Sequence, residues 1–384
     1  MGKYAIVAVG YNRPASMQRL LNSLAGCFYD NDNVTLIISI DNCGTNEVEE
    51  CANSFSWRFG EKKVITYYER LGLRKHILHC GDFVIDYDAI AVFEDDIVAA
   101  PGFYIYMKEA VEKYKNNDQI AGISLYNHLW NVHVEMPFEP APTPFDTYFL
   151  QFAQSWGQVW TKNQWLAFRE WYNRNCEEFG EIEGIPLGVC KWPKSSWLKY
   201  HIRFCIEQNK YFVYPYKALS TCFSDIGMHC KVSDTHLQVP ILTAIQERYR
   251  FPDLNDPDCA IYDAYFERRC LSGKLGGIDA NDISVNLYGY KGTTEKKRYV
   301  LTMKKMPYKI VDSYGLQYRP HELNIFFSAH GNDIFLYDTS DSVNARIKQI
   351  SDTKIFRYRF RLFGKTKMFV KCVIDRFISM LQKR

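Results

Sequence analysis

The first hundred residues alternate short, mainly apolar runs with segments whose apolar residues recur every three or four positions. Tyr4–Val9 is continuously apolar, the pattern of a strand buried on both faces, and Val34–Ile40, Val64–Tyr68 and Ala89–Phe93 are further expected strands. Between them Met17, Leu20, Leu21 and Leu24 keep helical spacing, with Ser16 as the expected N-cap. Further helices are expected around Glu47–Phe55 and over residues 71–85. This β-α-β-α-β order predicts an α/β fold: a mostly parallel sheet covered by helices, with ligands outside the carboxyl ends of the strands. A helix over Phe103–Lys115, a strand over Ile120–Leu125 and the proline-rich loop Pro137–Pro144 follow. Pro252 and Pro257 then punctuate the chain, and a polar α+β stretch runs to about residue 345. The expected organisation is an α/β domain over 1–250, a smaller α+β region over 251–350, and a tail over 351–384.

Composition narrows the picture only where it is uneven. The 384 residues are 47% hydrophobic and 24% charged, enough for a sizeable core. A formal net charge of +3 gives no general case for nucleic acid. Twelve cysteines without a C-x-x-C pair argue against a zinc or dithiol site and suit a reducing compartment. The first strand starts directly after Lys3, leaving no room for a signal-peptide core, and no run of 18 apolar residues occurs. A cytoplasmic location is therefore expected. The aromatic share is high at 16%, including 27 Tyr and 8 Trp. Aromatic faces stack on sugar rings, but they also fill cores.

The strongest local signal is Glu94-Asp95-Asp96, placed after the apolar run ending at Phe93 and followed by Pro101-Gly102-Phe103 opening a helix. Asp41 closes another apolar run, so two acidic loops share one rim. Carboxylates at strand ends suit a hard divalent cation, which would neutralise a departing diphosphate. Arg13 and Arg74 could counter the same charge. A general base must be a carboxylate that reaches an acceptor hydroxyl; Asp146, Glu183 (with Glu181) and Asp225 are the candidates.

The segment Ala89–Phe103 resembles the aspartate-rich motif of family 2 and related GT-A glycosyltransferases: hydrophobic strand, Glu-Asp-Asp, then Pro-x-Phe. Tyr4–Leu24 resembles the opening strand, loop and helix that grip the nucleotide, which implies roles for Val9, Tyr11 and Arg13. Ile38–Asp41 is similar to the second strand with its base- or ribose-contacting Asp. Tyr68–Arg74 is similar to a stretch usually seen as N-x-G-L-x, with Leu71 in place of Asn. Gln154–Trp160 resembles the acceptor-side loop of a bacterial surface-polysaccharide subgroup, implying acceptor contacts for Trp156 and Gly157. Tyr214–Ser220, Asp225–Gly227 and Ser233–His236 resemble that subgroup's later signature. The resemblance covers residues 3 to about 240. It implies a nucleotide-diphosphate sugar donor of UDP or GDP type, Mn²⁺ or Mg²⁺ on Asp96 and His236 (His229 is a rival), and inversion. Ribose or base contacts would come from Glu94, Asp95 and Asp41. Trp192–Trp197 is similar to the base-bearing region of a Golgi N-acetylglucosaminyltransferase. Leu198 and Lys199 stand where the carboxylates would be, so no base is carried over.

Two other classes compete. A sugar-1-phosphate nucleotidyltransferase needs a glycine-rich loop after the first strand, and here Gly10-Tyr11-Asn12-Arg13-Pro14 holds one glycine. A catalytically inert GT-A partner or carbohydrate-binding module would not need the acids. The tail adds a separate feature. Lys354–Arg384 carries ten Lys or Arg against Asp375 alone, around a helical stripe of Val370, Val373, Ile374, Phe377, Ile378 and Leu381. Such a basic amphipathic helix is expected to lie on the anionic inner face of the cell membrane, where a lipid-linked saccharide acceptor would be found.

Overall fold

The structure is a computed structural model. It describes all residues except 1, 224, 226–236, 270, 272–274, 280, 293–296, 345–351, 362–369, 376 and 379–384. The described chain divides into two compact units, Met1–Leu129 with Pro140–Cys270, and Trp130–Glu139 with Leu271–Arg384.

The first unit begins as the hydrophobic pattern predicts. β1 (Tyr4–Gly10), α1 (Pro14–Ala25), β2 (Thr35–Ile40), α2 (Glu47–Ser54), β3 (Lys62–Thr66), α3 (Leu73–Asp82) and β4 (Ala89–Glu94) alternate. β5 (Ile97–Ala99), α4 (Phe103–Tyr114) and β6 (Ile120–Ser124) follow. β7 (Trp130–Asn131) and β8 (Met136–Pro137) pair with each other within the second unit. The first unit resumes with β9 (Thr147–Leu150), β10 (Gln158–Thr161), α5 (Lys162–Arg174), α6 (Leu187–Cys190) and α7 (Leu198–Glu207), then β11 (Tyr211–Pro215), β12 (Ser220–Cys222) and β13 (Ile261–Tyr262). The large sheet has the order β13-β9-β11-β6-β10-β4-β1-β2-β3. β10 runs antiparallel to both β4 and β6, and β9 antiparallel to β11. β1, β2, β3, β4, β6 and β11 therefore all point their carboxyl ends at one rim. The expected α/β class, a mostly parallel and helix-covered sheet, is what forms.

β1 and β2 are buried at every residue, which is why they read as mainly apolar runs, broken in β2 by Thr35 and Ser39. α1 buries Met17, Leu20, Leu21 and Leu24, one stripe facing the sheet. Several boundaries differ from the sequence reading. Ser16 does not cap α1: the helix starts at Pro14, whose fixed φ suits the first position, after Arg13. The helix expected over 71–85 is shorter because Gly72, at φ +75°, precedes it and a 3-10 turn (Phe83–Asp86) ends it. β3 lies two residues earlier than expected and is only half-buried. Much of the aromatic share is core: Trp160, Trp165 and Trp197 are among the largest fully buried side chains.

The second unit holds a four-stranded sheet ordered β14-β15-β17-β16. Its strands are β14 (Ile283–Asn286), β15 (Tyr299–Thr302), β16 (Tyr308–Tyr314) and β17 (Ile334–Ser342), with α8 (Leu323–Phe326) and α9 (Asp352–Phe360) beside them. Leu287, Leu301, Met303, Ile325, Ile334 and Leu336 form its core. Among the described residues no helix is long and apolar enough to cross a membrane.

Candidate functional site

β4 ends at Glu94, and Asp95 and Asp96 make the turn into β5. β5 pairs antiparallel with β12, Ile97 opposite Cys222, so the acidic turn is clamped from both sides. Phe223 N–H donates to the Asp96 carbonyl at 2.6 Å, which returns Asp225 to the same place. In the parallel pair β1–β4, Val9 sits beside Glu94. The loop after β1 thus overhangs the acids, and Arg13 reaches them. Its Nε donates to Asp95 Oδ2 at 3.2 Å and its Nη2 donates to Asp95 Oδ1. Nη2 also lies 3.3 Å from Asp96 Oδ2.

Four carboxylates share this corner with two guanidiniums, Arg13 on Asp95 and Asp96 and Arg19 on Asp225, and their electrostatics show the shortage of positive charge. Burial pushes Asp95 up to about 6, with Asp96 and Asp225 adding repulsion and Arg13 opposing it. Burial likewise raises Glu94, followed by the charges of Asp96 and Asp95; Arg13 and the Trp197 indole pull the other way. Asp96 is raised by burial and by Asp225, against Arg13. Asp225 is tied down through Oδ2 alone, which accepts from Ser16 Oγ at 2.7 Å and from Arg19 Nη2. Oxygen donors under mutual repulsion are the donor set of a hard cation. Among the described residues no three His, Cys, Asp or Glu side chains already converge as a metal cage. The chemistry of the donor set fits a divalent ion, with Arg13 lying across the acids.

Asp41 follows β2, two strands from β4, so its rim position is about 10 Å from Glu94 at ordinary strand spacing. Its carboxylate is 4% exposed and already busy. Oδ1 accepts from Asn42 N–H at 2.9 Å and Leu71 N–H at 2.7 Å, and Oδ2 from Gly72 N–H at 2.9 Å. Asp41 therefore fixes the Leu71–Gly72 turn in front of α3 and keeps room on Oδ2 for one further donor. Leu71, standing where the resemblance has Asn, contributes its backbone. Tyr11 is half-buried under the Arg70 guanidinium, 5.0 Å from its ring centre.

The remaining candidates separate. Arg74 donates to Tyr200 Oη at 2.8 Å and lies over that ring, so its partner among the described residues is on α7. Trp156 is half-buried against Tyr126 and His128, with ring centres 4.8 and 6.0 Å away. Gly157 has φ +89°, and a Cβ there would come within 2.6 Å of Ser220 Oγ. Asp146 precedes β9 and accepts from Arg250 N–H at 2.7 Å. It shares the rim but stands four strands from β4, roughly 19 Å at ordinary spacing. Glu183 lies exposed in the turn before α6. His236 and its rival His229 lie outside the described residues. Ser16, Arg19 and Trp197 were missed from the sequence: Ser16 is 209 residues from Asp225, and no local pattern announces such a pair. Lys199 has a structural part, its Nζ donating to the carbonyls of Phe179, Cys190 and Trp192 at 3.2, 3.1 and 3.1 Å.

No protein-family profile matches the chain, and neither does any curated protein sequence. Among solved structures it is similar to S. aureus TarS in complex with UDP, at 12% identity and a TM-score of 0.37, covering 57% of this chain and 59% of that one. The same protein in complex with UDP-GlcNAc gives 12% identity and a TM-score of 0.38 over 59% and 60% of the two chains. The mannosyltransferase PcManGT from Pyrobaculum calidifontis, in complex with GDP-Man and Mn²⁺, gives 10% identity and a TM-score of 0.33 over 56% and 57%. The chain spans about three-fifths of the solved chains it matches. At these values the likeness is too loose to assign this chain an activity.

Proposed function

We infer that the protein is a metal-dependent glycosyltransferase that moves a sugar from a nucleotide-diphosphate donor to a saccharide or lipid-linked saccharide acceptor, with inversion, in surface-polysaccharide synthesis. The observation that carries this reading is the acidic corner at the end of β4, where Glu94, Asp95, Asp96 and Asp225 meet Arg13 beside the β1 and β2 ends. The motif order from Tyr4 to His236 supports it.

In this reading Asp96, with His236, holds Mn²⁺ or Mg²⁺, which when bound supplies positive charge against the leaving diphosphate. Glu94, Asp95 and Asp41 face the ribose and base, the last through the free capacity of Oδ2. Val9 and Tyr11 line the nucleotide side. Arg13, fixed in its protonated form by Asp95 and Asp96, swings between the acids and the diphosphate. Arg74 orients Tyr200 on the same side. Trp156 and the tight Gly157 turn shape the acceptor side. Of the four base candidates, Asp225 stands at the corner with no partner on Oδ1 among the described residues, while Asp146 stands four strands away and Glu181 and Glu183 lie exposed. Asp225 is therefore the group that takes the acceptor proton.

The chain's end supplies the setting. Residues 370–375, 377 and 378 are helical, and Val370, Val373, Ile374, Phe377 and Ile378 are 47–64% exposed. An apolar stripe left in water within a lysine- and arginine-rich tail suits an anionic membrane face on the cytoplasmic side.

The test is binding of UDP and GDP by calorimetry with and without Mn²⁺, followed by donor hydrolysis across a panel of nucleotide sugars. Metal-enhanced binding, lost in Asp96→Ala with an unchanged melting temperature, is expected. Equal binding by wild type and Asp96→Ala would sink the assignment.

A further inference from the structure

A second cluster of polar groups lies outside the acidic corner, within the second unit. Pro137, Glu139, Tyr288, Arg319, His321 and Arg359, with Pro320 and Tyr358, line a cleft of about 260 Å³ including its open mouth. Arg359, on α9, is 6% exposed. Its Nη1 lies 2.8 Å from His321 Nδ1, and its Nη2 reaches the Leu287 carbonyl at 3.4 Å and Met303 Sδ at 3.9 Å. Its Nε is sealed from solvent and has no partner among the described residues. Tyr288 faces the guanidinium at 4.0 Å. Among the described residues no carboxylate pairs with Arg359.

That arrangement is energetically incomplete. A guanidinium taken out of water without a counter-charge is costly, and an orphaned buried N–H adds to the cost. His321 does not supply the missing charge. Because guanidinium is only a donor, Nδ1 must accept, so the ring is neutral and carries its proton on Nε2. That Nε2 lies 3.7 Å from Glu322. A second arginine shares the cleft: Arg319 stacks over Tyr358 at 4.7 Å and gives Nη1 to the Arg359 carbonyl at 3.3 Å. It too has no carboxylate partner among the described residues. The one carboxylate lining the cleft, Glu139, is engaged by Arg361. The part-exposed Arg319 and the buried, uncompensated Arg359 thus line one small cleft.

We propose that this cleft is a phosphate-binding subsite, in which the Arg319 fork grips the oxygens of one phosphate group and the uncompensated charge of the buried Arg359 behind it attracts them. Phosphate is the match for planar, bidentate arginine donors, and the small space excludes a whole nucleotide sugar. The site is separate from the acidic corner and does not depend on the function assigned to it. α9 leads along the chain to the exposed apolar helix at 370–378, so the phosphate has two sources: a lipid headgroup or a soluble phosphate.

The test uses the full chain and inorganic phosphate, followed by calorimetry and by thermal shift. Arg319 is part-exposed, so Arg319→Gln removes the fork with the fold intact; Arg359→Lys, which keeps the buried cation and should keep phosphate binding, is the second variant. Saturable phosphate binding is expected, weakened at least tenfold in Arg319→Gln, with UDP binding unchanged. Asp96→Ala should leave phosphate binding as it is, which separates failure here from failure of the glycosyltransferase reading. Equal phosphate affinity in wild type and Arg319→Gln, or no saturable binding by wild type, overturns the site. Vesicles of phosphatidylcholine with phosphatidic acid identify the source. Flotation lost severalfold in Arg319→Gln supports a headgroup; unchanged flotation alongside lost phosphate binding supports a soluble phosphate.

Discussion

Lys199 stands where a related sequence pattern would place a catalytic carboxylate, and its removal tests what it does instead. The side chain is 1% exposed, and its ammonium donates to the Phe179, Cys190 and Trp192 carbonyls at 3.1–3.2 Å. Burial lowers its pKa, so the charged form pays for its position. Lys199→Met keeps the stem and deletes the tripod. The Phe179 and Cys190 carbonyls are left buried and unpaired at about 1–3 kcal/mol apiece, while the part-buried Trp192 carbonyl can find water. Relief of the buried charge offsets part of this, leaving a net loss of about 3 kcal/mol. With about 2.1 cal/mol/K per residue over roughly 260 residues in the first unit, the melting temperature should fall by about 5 °C. Lys199→Arg should lose nearly as much, because a planar fork cannot meet three carbonyls set around a point charge. The tripod also ties down the segment leading to Trp197, whose indole acts on Glu94, so UDP affinity should weaken as well. Scanning calorimetry and UDP titration read both effects. A Lys199→Met protein melting within about 1 °C of wild type would refute the reasoning.

Gly157→Ala should cost about 2–4 kcal/mol, summing a left-handed backbone at φ +89° with a Cβ forced to 2.6 Å from Ser220 Oγ; denaturant unfolding measures it. Trp156→Ala should reduce transfer to acceptor tenfold or more with donor affinity within twofold, whereas equal losses with a lowered melting temperature would return Trp156 to packing against Tyr126. Truncation after Arg361 should release the protein from anionic liposomes in flotation, and raised salt should weaken binding of the full chain. The cut is placed there because Arg359 is buried in the second unit and Arg361 holds Glu139, so a cut after Asp352 would damage that unit instead.

The parallel half of the sheet was legible because burial on both faces leaves few polar residues to interrupt the pattern. β1 and β4 show this directly, each apolar to within a residue of its end, while β2 admits only the buried Thr35 and Ser39. The antiparallel insertion was not. β10 carries Gln158 and Thr161 in four residues, and the stretch from Gln154 to Trp160 reads as a loop at an acceptor site. Only pairing with β4 and β6 shows that its second half is a core strand, with Gln158 fully buried. Four residues are too few for periodicity to decide between strand and loop. The tail is the opposite case. Its basic excess was visible, yet Arg359 and Arg361 belong to the second unit's own contacts and cannot be counted towards a membrane.

At the acidic corner, residue types were legible and partnerships were not. Glu94, Asp95 and Asp96 announced themselves through their place after a buried strand, but nothing local tied them to Arg13, 82 residues away, or to Asp225. Those partnerships decide the chemistry. An acidic triplet on an open turn would sit near ordinary carboxylate pKa values and have little need of a cation. Here burial lifts Asp95 to about 6 and, with the neighbouring charges, raises Glu94 and Asp96, with Arg13 the counter-charge on Asp95 and Asp96 and Arg19 on Asp225. Two guanidiniums cannot offset four carboxylates. Any cation that joins them recovers the free energy spent on keeping them together, and a group that draws Arg13 away increases that gain. A diphosphate does both, since it attracts the guanidinium and brings its own demand for a divalent ion. Donor and metal should therefore bind with positive cooperativity at this corner, and calorimetric titration should find the cooperativity reduced in Arg13→Gln, where only the diphosphate's own demand for the ion remains.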